Sequence, residues 1–194
     1  LDAADFDGDG NNEFILSDIG ILFPSDEKVG KVLILKINNS SIYQETIAIQ
    51  DIGRATCAEA ADLDSDQDLD LTLCEFGNDG GSVGWLENIG DGNWTWHILE
   101  HKPGTIEATP VDMDGDGDLD IVAVISQLSE QIVIYWNDGY GNFTSEIFFN
   151  AETTYFGMSG INVVDLEGDG DKDILFTNGD VLDKDRLKKL YDHG

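Results

Sequence analysis

Basic residues are scarce in this sequence. Ten Lys and Arg face forty Asp and Glu over 194 residues, a formal net charge of −30. Nucleic acid and anionic membrane surfaces repel a chain of that sign, which excludes both as partners. Histidine and cysteine are also few, three and two. Neither Cys57 nor Cys74 belongs to a CxxC pair, so a zinc site has no ligand set. No apolar run approaches the ~18 residues of a membrane-crossing helix, which excludes membrane insertion by that route. Phosphate-cradling glycine loops are missing. Gly157-Met158-Ser159-Gly160 is not a nucleophile elbow and has no partner histidine in an obvious position. What remains is a chain with 41% hydrophobic residues, enough for a packed core, and a large excess of acid to explain.

The acids are periodic. Four nine-residue stretches carry them at alternate positions. The first holds Asp5, Asp7, Asp9, Asn11 and Glu13, and the second Asp62, Asp64, Asp66, Asp68 and Asp70. The third holds Asp112, Asp114, Asp116, Asp118 and Asp120, and the fourth Asp165, Glu167, Asp169, Asp171 and Asp173. Their first residues are 57, 50 and 53 apart, and together they contain nineteen of the forty acids. A second signature keeps step: Trp85-x-x-Asn88 followed by a Gly-rich turn matches Ile134-x-x-Asn137 with its own turn, and Asn38 is the expected equivalent in the first repeat. A third mark is the glycine ahead of each of the last three loops, Gly53, Gly104 and Gly157. Self-similarity at about 50 residues signals a repeat architecture.

Each repeat reads as four short strands. In the second, strands are expected over 55–61, 69–76, 82–87 and 94–99, separated by the acidic loop and by turns of Gly, Asn and Asp. Four antiparallel strands every 50 residues is the size of a propeller blade. The expected fold is therefore all-β, a β-propeller of four-stranded antiparallel blades, with repeats at about 1–49, 50–100, 101–150 and 151–194. The first acidic loop starts so early that the first blade is expected to lack its opening strand, and the last to hold only two strands. The chain thus reads as an incomplete arc of about three and a half blades cut from a longer protein. Cys57 and Cys74 flank the second loop, and a hairpin there would bring them together. A cross-strand disulfide and two buried thiols both remain open.

Five carboxylates within nine residues repel one another, by about 4 kcal/mol for a pair ~4 Å apart at an effective dielectric near 20. A cation at the centre resolves this. Side chains at positions 1, 3 and 5 converge on one point, the position 7 carbonyl joins them, and the acid at position 9 closes the shell. Glycine at position 6 permits the sharp turn. An all-oxygen, flexible set favours Ca²⁺. An EF-hand would need a bidentate Glu at position 12 and flanking helices. Position 12 is Leu16, Leu73, Ala123 or Phe176, and the flanks are strand-like.

With these residues in view, the sequence resembles the FG-GAP/VCBS family of propeller repeats, the type found in integrin α-chain heads and many secreted bacterial proteins. The D-x-D-x-D-G-x-x-D motif maps onto all four loops, with Glu13 and Glu167 for Asp and Gln67 for Gly as departures. The family's Phe-Gly maps onto Phe156-Gly157, and its Gly alone onto Gly53 and Gly104; the "GAP" segment is not retained. The resemblance implies Ca²⁺ in the hairpin between the first and second strands of each blade, about four ions per chain. It implies a calcium-binding interaction or adhesion module, secreted or at the cell surface and not itself an enzyme. A protein or glycan partner would bind the opposite face, at loops 51–54, 101–104 and 152–156 with the turns between second and third strands. Two other readings stand beside it, the propeller part of a secreted polysaccharide lyase or glycosidase, and a structural spacer in a surface protein.

The remaining features have plainer readings. Trp85, Trp94, Trp96 and Trp136 are expected in the core rather than stacked on sugars. His97, His101 and His193 are expected as surface residues. Lys184, Arg186, Lys188 and Lys189 are expected on a solvated short helix. Sequons begin at Asn38, Asn39, Asn93 and Asn142.

Overall fold

A computed structural model describes residues 1–23, 25–38, 41–77, 79–153 and 156–179. The charged stretch that holds Lys184, Arg186, Lys188, Lys189 and His193, and the sequon at Asn39, lie outside the described residues.

The described residues are all-β. The first sheet holds β1 (Asp2–Ala4), β2 (Glu13–Asp18), β3 (Gly30–Asn38) and β4 (Ser41–Ile52) in sequence order. The second holds β5 (Arg54–Ala61), β6 (Asp70–Phe76), β7 (Gly81–Asn88) and β8 (Trp94–Glu100). The third holds β9 (Thr105–Val111), β10 (Asp120–Ser126), β11 (Glu130–Asn137) and β12 (Phe143–Asn150), and the fourth holds β13 (Met158–Val164) and β14 (Asp173–Asn178). All neighbours are antiparallel. Three four-stranded blades and one of two strands make the expected arc of three and a half. One expectation is corrected: the first blade does have its opening strand, the three-residue β1, paired to β2 through Asp2↔Ile15 and Ala4↔Glu13. So short a segment has no room for an alternating pattern.

Three cores hold the blades in series. Ile15, Val32 and Ile34 of the first blade pack on Ala58, Leu71, Leu73 and Leu86 of the second. Trp85, Val83 and Cys74 on the other side of the second meet Ile121, Ala123 and Ile125 of the third. Val122, Val124 and Ile134 then meet Met158 and the partly buried Ile161 and Phe176 of the fourth. Alternate residues of β10 thus face opposite neighbours, which is why Asp120–Ile125 is buried throughout and Ile121–Ile125 reads as an unbroken apolar run. The tryptophans belong to these cores as expected: Trp85 is buried in one, and Trp94, Trp96 and Trp136 pack against the other two. Phe156 joins Phe149 and Phe176 in an aromatic cluster. Cys57 and Cys74 lie opposite each other across β5 and β6, with Cα atoms 5.0 Å apart, and are joined as a disulfide.

The first strands of the blades lie side by side, and acids satisfy N–H groups of the next blade. Ala60 N donates to Asp2 (2.9 Å) and Ile161 N to Glu107 (2.9 Å). Glu59, which accepts from Thr109 Oγ1 (3.3 Å), sits between these two acids. Burial first, then the charges of Glu107 and Asp2, push its carboxyl up to about 7, with the Thr109 hydrogen bond and the Leu1 amino group opposing. Because the folded pKa exceeds the unfolded one, the folded state binds more protons and loses stability as pH rises from about 4.5 to 7. In calcium-free buffer, Glu59→Gln is therefore expected to stabilise the chain at pH 8 by about 1–2 kcal/mol, after discounting for partial exposure, and to change nothing at pH 4. Urea unfolding across pH checks this; a variant curve parallel to the wild type at every pH would rule it out.

Candidate metal centre

Each acidic stretch forms the hairpin loop between the first and second strands of its blade, and all four loops fold alike. The N–H at position 6 donates to the position 1 carboxylate: Gly10 to Asp5 (2.9 Å), Gln67 to Asp62 (3.1 Å), Gly117 to Asp112 (3.2 Å) and Gly170 to Asp165 (3.0 Å). The N–H at position 7 donates to the position 5 carboxylate: Asn11 to Asp9, Asp68 to Asp66, Asp118 to Asp116 and Asp171 to Asp169, at 2.8 to 3.1 Å. Position 6 has φ of 89°, 78°, 100° and 100° in the four loops. Nothing lies within 4 Å of a Cβ placed on Gly10, Gly117 or Gly170, so φ alone calls for glycine there. Gln67 adopts the same left-handed conformation in the second loop, as does Ser65 two residues before it, so the departure from Gly leaves the turn intact.

The acid at position 9 is a latch. Asp70 accepts from Leu63 N (3.0 Å) and Asn88 N (2.9 Å), and Asp120 from Met113 N (3.0 Å) and Asn137 N (2.9 Å). Glu13 accepts from Phe6 N (2.9 Å) and Asp173 from Leu166 N (2.9 Å). The repeated asparagine thereby acquires a role. Its N–H completes the latch, its Oδ1 accepts from Gly90 N or Gly139 N, and its amide donates to Leu69 O or Leu119 O. Asn137 also donates to Leu63 O of the preceding blade's loop (2.7 Å), joining two acidic hairpins. In the first blade the expected equivalent shifts by one. The register Phe14↔Leu35 puts Lys36 opposite position 9, so Ile37 rather than Asn38 falls where Asn88 and Asn137 stand.

Three loops gather their carboxylates. Oxygens of Asp5, Asp7 and Glu13, of Asp62, Asp64 and Asp66, and of Asp112, Asp114 and Asp120 come within 4.8 Å of one another in each set. Asp165, Glu167, Asp169, Asp171 and Asp173 form the same turn without so close a set. In the second loop the Oδ1 of Asp62 is buried and has no hydrogen-bond donor. An uncompensated buried carboxylate oxygen costs several kcal/mol, and a cation within the ring would remove that cost. Burial pushes Asp70 up to about 7, its two backbone hydrogen bonds opposing. Burial and neighbouring loop carboxylates also raise Asp64, Asp118 and Asp120. In the first loop Asp9 is instead lowered, first by the side-chain hydrogen bond from Asn11.

A family model for the FG-GAP-like repeat matches residues 62–123 and again 112–176, together more than half of the 194 residues. The chain belongs to the FG-GAP-like repeat family. Each FG-GAP-like match opens on the first acid of one loop, Asp62 or Asp112, and runs through the next loop into the strand behind it. FG-GAP-like repeats typically occur in extracellular and surface proteins and are generally non-catalytic. No helix of the described residues is long and apolar enough to cross a membrane. No curated protein matches the chain.

The expected loop 51–54 is only the junction at Gly53 between β4 and β5. At this other end of the blades, Asp51 and Ile52 of β4 and the residues Asp79 and Gly80 after β6 border a cavity of about 410 Å³ between the first two blades of this FG-GAP-like chain. Lys28, Asp51, Asp79, Trp96, Ile98 and His101 are among its lining residues. His101 Nδ1 is 3.0 Å from Ser82 Oγ. His97 stacks on Trp85 and lies 2.6 Å from Glu87 Oε2. Asn93 and Asn142 are exposed at hairpin turns, and their amides donate to Gly90 O and to the Asp138 carboxylate.

The sequence did not reveal Lys36. Its ammonium makes an ion pair with Asp7 and lies 3.5 Å from Glu13, inside the first acidic loop. The available signal was a lone lysine one strand away from an acidic loop, and locating it needs the β2–β3 register.

Proposed function

We propose that this is a calcium-binding extracellular interaction module, in which Ca²⁺ bound by acidic hairpins stiffens one end of the blades that hold it and a protein or glycan partner binds the other end. The donorless, buried Asp62 Oδ1 within a ring of three carboxylates carries the metal reading, since no hydrogen bond of the described residues serves it. The donors are oxygens only, which suits a hard cation, and the loops offer carboxylates at positions 1, 3, 5 and 9 with a carbonyl at 7, a number and flexibility that favour Ca²⁺ over Mg²⁺. Residues that would hold it are Asp62, Asp64, Asp66 and Asp70 in the second loop, Asp112, Asp114, Asp116 and Asp120 in the third, and Asp165, Glu167, Asp169 and Asp173 in the fourth. Bound Ca²⁺ would neutralise the loops and fix the turns; the backbone hydrogen bonds to positions 1 and 5 set the turn before the ion arrives.

A partner at the opposite end is supported by the cavity that Asp51, Ile52, Asp79 and Gly80 border there. Asp51 has φ of 58°, in the left-handed region that Asp tolerates better than most residues. Isothermal titration of chelator-treated protein is expected to give about three Ca²⁺ per chain, with Kd on the order of 10⁻⁴ to 10⁻³ M. Asp112→Ala should remove one of them. Binding of one ion or none would contradict the metal reading.

A further inference from the structure

The first loop does not fit the metal as the others do, because a side chain already stands in it. Lys36 enters from β3, opposite Glu13 in the β2–β3 register. It pairs with Asp7 and lies 3.5 Å from Glu13, two of the three acids whose oxygens converge in that loop. The lysine side chain is 17% exposed, and its ammonium lies between the exposed Asp7 carboxylate (46%) and the buried one of Glu13 (4%). The corresponding rung, counted from Leu71↔Leu86 and Ile121↔Tyr135, holds Glu87 in the second blade and Trp136 in the third. Among the described residues no other lysine or arginine pairs with an acid of the four loops; the remaining pairs join Lys28 to Glu75, Lys31 to Asp18 and Lys102 to Glu100. The loop sequence departs in the same direction. Asn11 stands where the other loops have Asp68, Asp118 and Asp171, leaving four acids rather than five.

We infer that the first blade carries its own cation, the Lys36 ammonium, in the place that calcium takes in the following blades, so that its hairpin folds without metal. A tethered ammonium has a high effective concentration at its site and does not depend on the surrounding solution. Calcium entering this loop would have to displace the ammonium from both carboxylates, since two cations at that distance repel. The chain would then divide its blades into two kinds, a first blade whose hairpin is set at any calcium level and later blades whose hairpins respond to it. This inference rests on the calcium reading of the other loops.

Equilibrium dialysis with radioactive calcium, on the full chain, compares the wild type with Lys36→Gln, Lys36→Arg and Asp7→Ala. Three ions are expected in the wild type, in Lys36→Arg and in Asp7→Ala. Lys36→Gln is expected to bind four, and adding Asp7→Ala to it should return the count to three. A wild type that binds four ions and loses one on Asp7→Ala would overturn the inference while leaving the calcium reading intact. Hydrogen exchange in chelator gives an arm independent of any metal. There Lys36→Gln should exchange the amides of β2 and β3 about tenfold faster than wild type, with the third blade unchanged. If no protein binds calcium, the calcium reading falls, and the exchange arm alone judges Lys36: unchanged rates in β2 and β3 would overturn its role as well.

Discussion

Chelation of calcium is expected to lower the melting temperature of this chain by roughly 15–30 °C relative to protein at a calcium concentration about a hundredfold above Kd. A ligand at that excess contributes about 2.7 kcal/mol per site, so three sites contribute about 8 kcal/mol. That is comparable to the entire net stability of an ordinary domain. The size follows from how the loops are built. Without a cation, the second loop has a buried oxygen of Asp62 with no donor, and the third holds Asp112, Asp114 and Asp120 within 4.8 Å of one another. The hairpins lead straight into β6 and β10, whose side chains fill the cores between blades, so a loosened loop weakens the packing behind it. Scanning calorimetry in chelator and in excess calcium, with magnesium as control, measures the shift. A change of less than about 2 °C would mean that the acidic loops carry their charge without help from a metal.

Removing the disulfide has the next largest expected effect. Cys57 and Cys74 are 17 residues apart, and a closed loop of that length is worth about 3 kcal/mol through the unfolded chain. Cys57→Ala with Cys74→Ala should therefore lower the melting temperature by about 6–12 °C. The bridge also encloses all of 62–70, so the variant should bind calcium at the second loop more weakly while the third is unaffected. Equal melting temperatures for bridged and variant protein would show that the covalent link adds nothing to the β5–β6 ladder. A bridge of this kind persists in oxidising compartments, which agrees with the extracellular setting typical of the family.

The loops were legible in the sequence because their chemistry is local. The turn demands left-handed residues at positions 4 and 6, and the carboxylates at 1 and 5 bond to amides two to five residues on, so the turn itself is specified within nine residues. Its latch at position 9 reaches further, being completed by an asparagine 17 or 18 residues on. The strands could be read because each blade repeats the same spacing. Where partners are distant, the reading stopped. The β1 strand is three residues long and is defined by its pairing with β2. Asp2 and Glu107 serve amides of the next blade, 58 and 54 residues away, so no spacing within a repeat could show them. Whether Cys57 met Cys74 depended on the β5–β6 register, which runs unbroken from Ala61↔Asp70 to Cys57↔Cys74. The asparagine signature was visible, but its displacement in the first blade was not, because Lys36 and Ile37 are placed by the β2–β3 ladder rather than by distance along the chain.

Crystals grown in calcium, with diffraction recorded at a wavelength where calcium scatters anomalously, test the central claim most directly. Peaks are expected inside the loops at 62–70, 112–120 and 165–173, each surrounded by oxygens at about 2.3–2.6 Å. No peak is expected at 5–13, where the Lys36 ammonium should remain against Asp7 and Glu13. A map with no anomalous peak in any of the acidic loops at saturating calcium would contradict the account.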